Sequence, residues 1–177
     1  MTTAGYYNSG KRLEEGKTYP FIVLNIVTLQ DERAYFILED PFKIRHLLPS
    51  WFYIYYGIQV GQTISCIVDK INCTGRVYLE PEHPHYTKGC VYDFQLLSIQ
   101  KNEKRKKLKI IFKDLFGNEI EVDCLADLEA IIRELQYVEC TIEYVRKGKP
   151  VLVIAKRFLE KLKMDRISIN FNQEISG

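Results

Sequence analysis

The densest charge in the sequence is a basic run between residues 101 and 107. A second basic group lies between residues 146 and 149. The cations are Lys101, Lys104, Arg105, Lys106 and Lys107, followed by Arg146, Lys147 and Lys149. Clusters of this kind neutralise nucleic-acid phosphates, and the binding they support weakens steeply with salt. The same residues are also typical of a solvated hairpin tip. Both interpretations stay open from the sequence.

The charge is unevenly divided along the 177 residues, which carry a net charge of +2. Residues 1–84 hold 8 Lys and Arg against 9 Asp and Glu, whereas residues 85–177 hold 17 against 14. We therefore expect the electrostatic footprint for a polyanion mainly in the second half. The acidic balance of the first half argues against nucleic-acid binding there.

Enzyme motifs are missing from the sequence. It contains no Walker loop, no GxSxG, no HExxH and no Rossmann glycine fingerprint. His46 and Asp40 are close in sequence but do not make a catalytic set. We expect a protein that is not an enzyme and needs no cofactor.

Metal and disulfide chemistry are also disfavoured. The five cysteines are widely spread and contain no CxxC pair, which predicts reduced and mostly buried thiols. His83, His85 and Cys90 could ligate a metal, but no second ligand cluster completes a tetrahedral site. We expect these residues to belong to a linker surface.

No stretch of the sequence approaches the roughly 18 apolar residues that a membrane span requires. The segment Met1–Glu15 is polar and lacks an apolar signal-peptide core. The expected location is cytoplasmic.

An aromatic run, Trp51–Tyr56, places five aromatic side chains in six residues. Such a run cannot bury completely. It could plug the end of a barrel, pack between two units or bind a protein partner. Packing between two units is the interpretation that we favour.

The chain repeats itself at an offset of 73 or 74 residues. Residues 16–21 match residues 89–94, both beginning with Gly and sharing Tyr and Phe. Asp40-Pro41-Phe42 matches Asp114-Leu115-Phe116, and Cys66-Ile67-Val68 matches Cys140-Thr141-Ile142. Three matches near one offset predict a structural duplication.

The elements between these matches are predicted to be short strands, five in each repeat. The strands are expected at 19–29, 34–38, 45–48, 63–71 and 76–79, then at 91–100, 108–113, 119–124, 138–145 and 150–155. Residues 125–135 have apolar residues at helical spacing. Five strands with a helix after the third favour barrels, so we predict an all-β chain of tandem five-stranded OB-type barrels with one short helix in the second.

The predicted domain boundaries follow from this pattern. Residues 1–15 form a flexible N-terminus, and residues 16–82 form the first barrel. A linker with two prolines covers residues 83–88. The second barrel spans residues 89–156, and a partly helical tail spans residues 157–177.

The segment Gly61–Pro81 resembles the closing hairpin of the RNA-binding domain of ribosomal protein S-one. The family's Gly, its Val-Asp strand end and its Arg-apolar-x-Leu close fall on Gly61, Val68-Asp69 and Arg76–Leu79. The resemblance covers residues 16–81 and includes Ala34–Ile37 and His46–Ser50. The chain departs from the family at Pro49, where the family has His, and at His46, where it has Gly. The second repeat resembles a more remote OB barrel.

The resemblance implies that single-stranded RNA crosses strands two and three of the first barrel. Bases would stack on Phe36 or, on the opposite face, Tyr35, and only one of the two can be exposed. The backbone contacts implied for this barrel are Lys43, Arg45, His46, Lys70 and Arg76. The leading hypothesis is thus a non-enzymatic nucleic-acid-binding module for single-stranded RNA, with single-stranded DNA left open as a ligand. The rival hypothesis is a protein-interaction or scaffold module that uses the barrels and the aromatic run.

Overall fold

A computed structural model describes residues 12–102, 107–125, 129–162 and 164. The chain divides into two compact units between Pro84 and His85. Each unit is a five-stranded antiparallel sheet that curls into a barrel-like shape. The predicted all-β fold with two five-stranded barrel-like units and a short helix in the second is confirmed.

The first unit contains five strands and one turn of 3-10 helix. These are β1 (Thr18–Thr28), β2 (Ala34–Glu39), β3 (Arg45–Pro49), the 3-10 turn η1 (Ser50–Phe52), β4 (Thr63–Ile71) and β5 (Val77–Pro81). The sheet order is β3-β2-β1-β4-β5. The first strand is therefore central, and the edge strands β3 and β5 approach each other as the sheet curls.

The second unit repeats this arrangement strand for strand. It contains β6 (Val91–Asn102), β7 (Lys107–Lys113), β8 (Glu119–Leu125), the helix α1 (Glu129–Ile132), β9 (Tyr137–Arg146) and β10 (Lys149–Ile154). The order β10-β9-β6-β7-β8 is that of the first sheet read from its other end. Residues 156–162 are also helical.

The two units also share individual backbone hydrogen bonds at equivalent positions. The Gly16 N–H donates to the Val68 carbonyl at 2.8 Å, and the Gly89 N–H donates to the Ile142 carbonyl at 2.8 Å. Both glycines have positive φ, +78° and +82°, where other residues are strained. The sequence matches at Gly16 and Val68 therefore mark equivalent places in the two folds.

A buried aspartate organises the turn between the second and third strands of each unit. Asp40 Oδ1 accepts hydrogen bonds from the backbone N–H groups of Phe42 and Ile44 at 2.8 and 2.9 Å. Asp114 Oδ1 does the same for residues 116 and 118, at 2.9 and 2.7 Å. This turn chemistry is the physical reason for the Asp-x-Phe match between the repeats.

We expect Asp114→Ala to lower the free energy of unfolding of the second unit by about 1–2 kcal/mol, because it leaves two part-buried N–H donors without their acceptor. Asp114→Asn, which keeps one carbonyl acceptor, should recover most of this loss. Hydrogen exchange of residues 107–125 against denaturant measures the effect. The control is Glu119→Ala, an exposed residue of the adjoining strand. Equal loss in the control would contradict the role of the turn.

Each unit has its own hydrophobic core on the inner face of its sheet. Phe21 and Cys66 in the first unit correspond to Phe94 and Cys140 in the second, and all four are buried. The end of each barrel is filled by the segment between the third and fourth strands. Tyr53 does this in the first unit and Ile132 of α1 in the second. The helix predicted over residues 125–135 is observed as α1 over Glu129–Ile132 and ends before residues 133–135, whereas residues 126–128 lie outside the described residues.

Over the part of the chain that the structure describes, none of the helices has the length and apolar character of a membrane-spanning segment.

Candidate nucleic-acid interface

A groove on the first unit brings several of the predicted binding residues together. It has a volume of about 500 Å³ and lies where the ends of β3 and β5 face each other, beside the β1–β2 and β4–β5 turns. Its lining consists of Leu29, Tyr35, Ile44, Arg45, His46, Leu47, Gly75, Arg76 and Val77. Two arginines and one tyrosine thus border a wall that is otherwise largely apolar.

The pairing of β2 with β3 decides which aromatic residue faces outward. Phe36 lies opposite Leu48, and both point into the barrel core, where Phe36 is 6% exposed. Tyr35, its neighbour, lies on the opposite side of the strand and is half-buried at the groove. Of the two candidates, Phe36 is therefore turned into the core, and Tyr35 is the one whose ring can reach a ligand, so stacking on Tyr35 stays a prediction.

Tyr35 is held in place at both ends of its ring. Its hydroxyl donates to Asp31 Oδ2 at 2.7 Å, and its ring meets Trp51 edge-on, with centroids 5.1 Å apart. The hydrogen bond lowers the pKa of Asp31 and raises the pKa of Tyr35. Tyr35 is consequently a neutral ring in a fixed orientation, which favours stacking.

The side chain of Arg33 also packs on Trp51 and extends the surface formed by the two rings. The Arg33 guanidinium lies over its ring, 5.1 Å from the centroid. Sequence reasoning assigned no binding role to Arg33, because nothing in the order of residues connects the β1–β2 turn with residue 51. The contact depends on the hairpin that carries Arg33 back beside the end of β3.

The two groove arginines are exposed and available. Within the described residues, neither Arg45 nor Arg76 has a carboxylate within ion-pair distance. Arg76 lies over the Tyr78 ring, with its guanidinium 5.3 Å from the centroid. This stacking orders the guanidinium and leaves its N–H groups directed at solvent or a ligand.

His46 has a structural role beside the phosphate contact predicted for it. Its side chain is 9% exposed, and its Nε2 lies 2.9 Å from Oδ2 of the fully buried Asp40 side chain. The ring also meets Phe21 edge-on at 5.9 Å. One ring nitrogen of His46 is thus committed to the aspartate that organises the neighbouring turn, and its contact with a nucleic-acid backbone stays a prediction.

The two predicted lysines of the first unit lie outside the groove lining. Lys43 occupies the turn before β3, with φ of +68°, and its amino group pairs with Glu39 at 2.8 Å. Lys70 is exposed near the end of β4. Of the seven residues predicted in this unit, Tyr35, Arg45 and Arg76 thus lie at the groove with side chains that can contact a ligand.

The described members of the basic clusters of the second unit lie at the end of β6, at the start of β7 and in the β9–β10 hairpin. Lys101 lies near the end of β6 and pairs with Glu129 at 3.4 Å. Lys107 begins β7, whereas Lys104, Arg105 and Lys106 lie outside the described residues. Arg146 and Lys149 face each other across the β9–β10 hairpin, whose turn is Lys147-Gly148. All three basic residues of that hairpin are exposed.

The outer face of the second sheet differs in charge from the first. Glu119, Glu121 and Asp123 lie on β8 opposite Lys113, Ile111 and Lys109. These acidic positions correspond to Arg45, Leu47 and Pro49 of β3, when the strands are matched by their pairing. The alternation of Glu119, Glu121 and Asp123 in the sequence is the signal that indicates this acidic strand face. The strand face of the second unit thus carries carboxylates on β8, and among the described residues its predicted basic side chains lie at the strand ends and in the β9–β10 hairpin.

The aromatic run is divided between core and surface. Tyr53 is buried, and its hydroxyl donates to Glu80 Oε2 at 3.2 Å. Burial and the nearby carboxylate raise the pKa of Tyr53 far above its usual value. Ile54 and Tyr55 are exposed. The run thus plugs the first barrel, while its packing between units stays a prediction.

Fewer cysteines are buried than expected. Cys66 and Cys140 are buried at equivalent positions, and desolvation raises the pKa of Cys140 to about 12. Cys73 and Cys90 are exposed. Among the described residues, no three His, Cys, Asp or Glu side chains are placed to hold a metal ion together.

No protein-family model and no curated protein sequence matches this chain.

Proposed function

We propose that this chain is a non-enzymatic, cytoplasmic binding protein for single-stranded nucleic acid, with RNA as its ligand. The groove of the first unit would be its main binding surface. The observation that carries the proposal is the meeting of Tyr35, Arg45 and Arg76 in one groove about 500 Å³ in volume. A fixed ring beside two exposed guanidiniums matches a base beside its phosphates.

The strand order supports assigning both units to the OB type. In that fold the first strand is central, and the third and fifth strands close the barrel. OB barrels bind oligonucleotides across strands two and three, between the β1–β2 and β4–β5 loops. The groove lies at that place in the first unit. The resemblance of residues 16–81 to the S-one domain is consistent with this location.

The two units would contribute differently to binding. The first would stack bases on Tyr35 and hold phosphates with Arg45 and Arg76. The second would add charge through Arg146, Lys147 and Lys149, because its strand face is acidic on β8. Since exposed cations act over about 8–10 Å at ordinary salt, this second contribution is salt-sensitive.

The proposal predicts a specific loss on removing the ring of Tyr35. Fluorescence anisotropy with labelled 12-mer single-stranded RNA should show binding at low salt that Tyr35→Ala weakens by roughly 5- to 30-fold. Tyr35→Phe keeps the ring and should stay within about threefold of the wild type.

The matched control is Tyr137→Ala, which removes an exposed tyrosine of the second unit. It should leave RNA affinity unchanged. No binding of RNA or DNA at low salt would refute the proposed function. An equal loss of RNA affinity in Tyr35→Ala and Tyr137→Ala would show that the groove is not the binding surface.

A further inference from the structure

An exposed tyrosine of the first unit lies next to the groove but outside its lining. Tyr78 is the second residue of β5 and is 41% exposed, whereas Leu79, Glu80 and Pro81 after it are buried. Although an arginine covers part of this ring, much of the side chain remains in contact with solvent. The Tyr78 ring is therefore the part of β5 that a ligand can cover.

Arg76 connects this ring with the groove. It lines the groove together with Tyr35, and its guanidinium lies over the Tyr78 ring, 5.3 Å from the centroid. The hydrogen bond to Asp31 raises the pKa of Tyr35, and the nearby Arg76 guanidinium opposes that rise. One cation is thus close to two tyrosine side chains. A phosphate bound by Arg76 would have an aromatic ring near each of the two nucleotides that it joins.

The β4–β5 turn fixes the backbone of Arg76. Asn72 Oδ1 accepts hydrogen bonds from the N–H groups of Thr74 and Arg76 at 3.0 and 2.8 Å, and the Asn72 N–H donates to the Arg76 carbonyl at 3.0 Å. The turns of Asp40 and Asp114 use the same arrangement, in which one side-chain oxygen holds the residues two and four positions later. Arg76 therefore starts from a defined place at the edge of the groove.

The neighbouring strand supplies a further cation beside Tyr78. Lys70 on β4 is the pairing partner of Tyr78, and both side chains are exposed. Residues that pair across antiparallel strands lie on the same face of the sheet, with Cβ atoms about 5 Å apart. Within the described ranges, neither Lys70 nor Arg76 has a carboxylate within ion-pair distance. Two cations thus flank an exposed ring on the outer face of the β4–β5 hairpin.

The second unit has a different pair at this place. When the two hairpins are matched by their pairing, Tyr144 and Val151 stand where Lys70 and Tyr78 stand in the first unit. The lysine is replaced by a tyrosine and the ring by an aliphatic side chain. The ring with a cation on the opposite strand is therefore particular to the unit that carries the groove of Tyr35.

We propose that Tyr78 is a second stacking position for the bound nucleic acid, which leaves the groove at Arg76 and crosses the outer face of the β4–β5 hairpin. Arg76 would bind the phosphate between a base on Tyr35 and a base on Tyr78, and Lys70 would bind the phosphate that follows. The inference rests on the proposed function. It narrows the ligand to a stretch with at least two unpaired bases, because a base inside a duplex cannot lie on either ring.

Anisotropy with the labelled 12-mer single-stranded RNA at low salt measures the contribution of the ring. Tyr78→Ala should weaken binding roughly 5- to 30-fold, and Tyr78→Leu about as much, because neither side chain has a π-face. Tyr78→Phe should stay within about threefold of the wild type. Tyr137→Ala, which removes an exposed tyrosine of the second unit, is the matched control and should leave the affinity unchanged. Wild-type affinity in Tyr78→Leu, or an equal loss in Tyr137→Ala, would overturn the inference.

A double variant separates stacking on Tyr78 from a role in ordering Arg76. If the ring stacks on a base, Tyr78→Ala should still weaken binding by at least about threefold when it is combined with Arg76→Ala. If the ring only orders the guanidinium, the loss caused by Tyr78→Ala disappears in the Arg76→Ala background. That outcome would overturn the second stacking position.

Photo-crosslinking of the wild-type chain with an iodouridine-substituted 12-mer locates the bases directly. Adducts should appear at both Tyr35 and Tyr78 when the peptides are identified by mass spectrometry. Absence of RNA binding by the wild type at low salt would refute the proposed function and this inference with it. RNA binding that Tyr35→Ala weakens, without an adduct at Tyr78 and without a loss in Tyr78→Ala, would overturn this inference alone.

Discussion

Arg45→Ala with Arg76→Ala is expected to lower the affinity for single-stranded RNA by about 30- to 150-fold. Each guanidinium is exposed and, among the described residues, unpaired, and both line one groove. A charge-assisted hydrogen bond to phosphate at such a site contributes about 1–1.5 kcal/mol, and the two contacts together about 2–3 kcal/mol.

The same substitution should change the salt dependence. Two phosphate contacts to a single strand give a slope near −1.4 in log K against log salt, about a sevenfold loss between 50 and 200 mM. The double variant should lose that part of the slope. Anisotropy titrations at several salt concentrations measure both the affinity and the slope.

The control removes two exposed cations that lie outside the groove, Lys17 and Arg157. Each pairs with a nearby carboxylate, Glu14 and Glu139 respectively, at 2.9 Å. Lys17→Ala with Arg157→Ala gives the same change in net charge and should cost less than about threefold in affinity. A loss as large as that of the groove variant would mean that only net charge matters.

A further comparison separates the two units. Arg146→Ala with Lys149→Ala removes cations from the β9–β10 hairpin and should reduce affinity less than the groove variant. If the hairpin variant lost more, the second unit would be the main binding surface. The proposed division between stacking in the first unit and charge in the second would then fail.

The repeated architecture could be predicted from the sequence because the residues that recur between the two repeats are ones that fix the backbone conformation. Gly16 and Gly89 adopt positive φ, and Asp40 and Asp114 hold the turns between the second and third strands. These local requirements recur wherever the same turn is built. Because neighbouring strand residues face opposite ways, the sequence also predicted that only one of Tyr35 and Phe36 is exposed.

The groove could be predicted only in part, because its chemistry depends on contacts between distant elements. Alternation could not say whether Tyr35 or Phe36 is inside; the register of β2 on β3 decides that. The commitment of His46 to Asp40 requires the turn to fold back on itself. The stack of Arg33 on Trp51 likewise joins a turn to the end of β3. Local sequence patterns do not encode such pairs.

The duplicated core leads to the largest expected effect on stability. Phe94→Ala should lower the free energy of unfolding of the second unit by about 3–5 kcal/mol, since it removes a buried ring and leaves a cavity. Phe94 is 1% exposed and contacts two other aromatic rings, Tyr86 at 5.4 Å and Phe112 at 6.4 Å between centroids. A loss of this size is a large share of the 5–15 kcal/mol that stabilises an ordinary domain.

Hydrogen exchange localises the effect to the second unit, because peptides from β6, β7 and β9 report directly on its core. The signal of the single tryptophan, Trp51, would not do so, because that residue lies in the first unit. Phe116→Ala, which truncates a half-buried ring of the β7–β8 turn, is the matched control and should cost less than half as much. Phe94→Leu should fall between the two, because leucine refills part of the cavity. If Phe94→Ala cost under about 1 kcal/mol, the site would not be a packed core, and the equivalence of Phe94 with Phe21 as the central ring of each barrel would be lost.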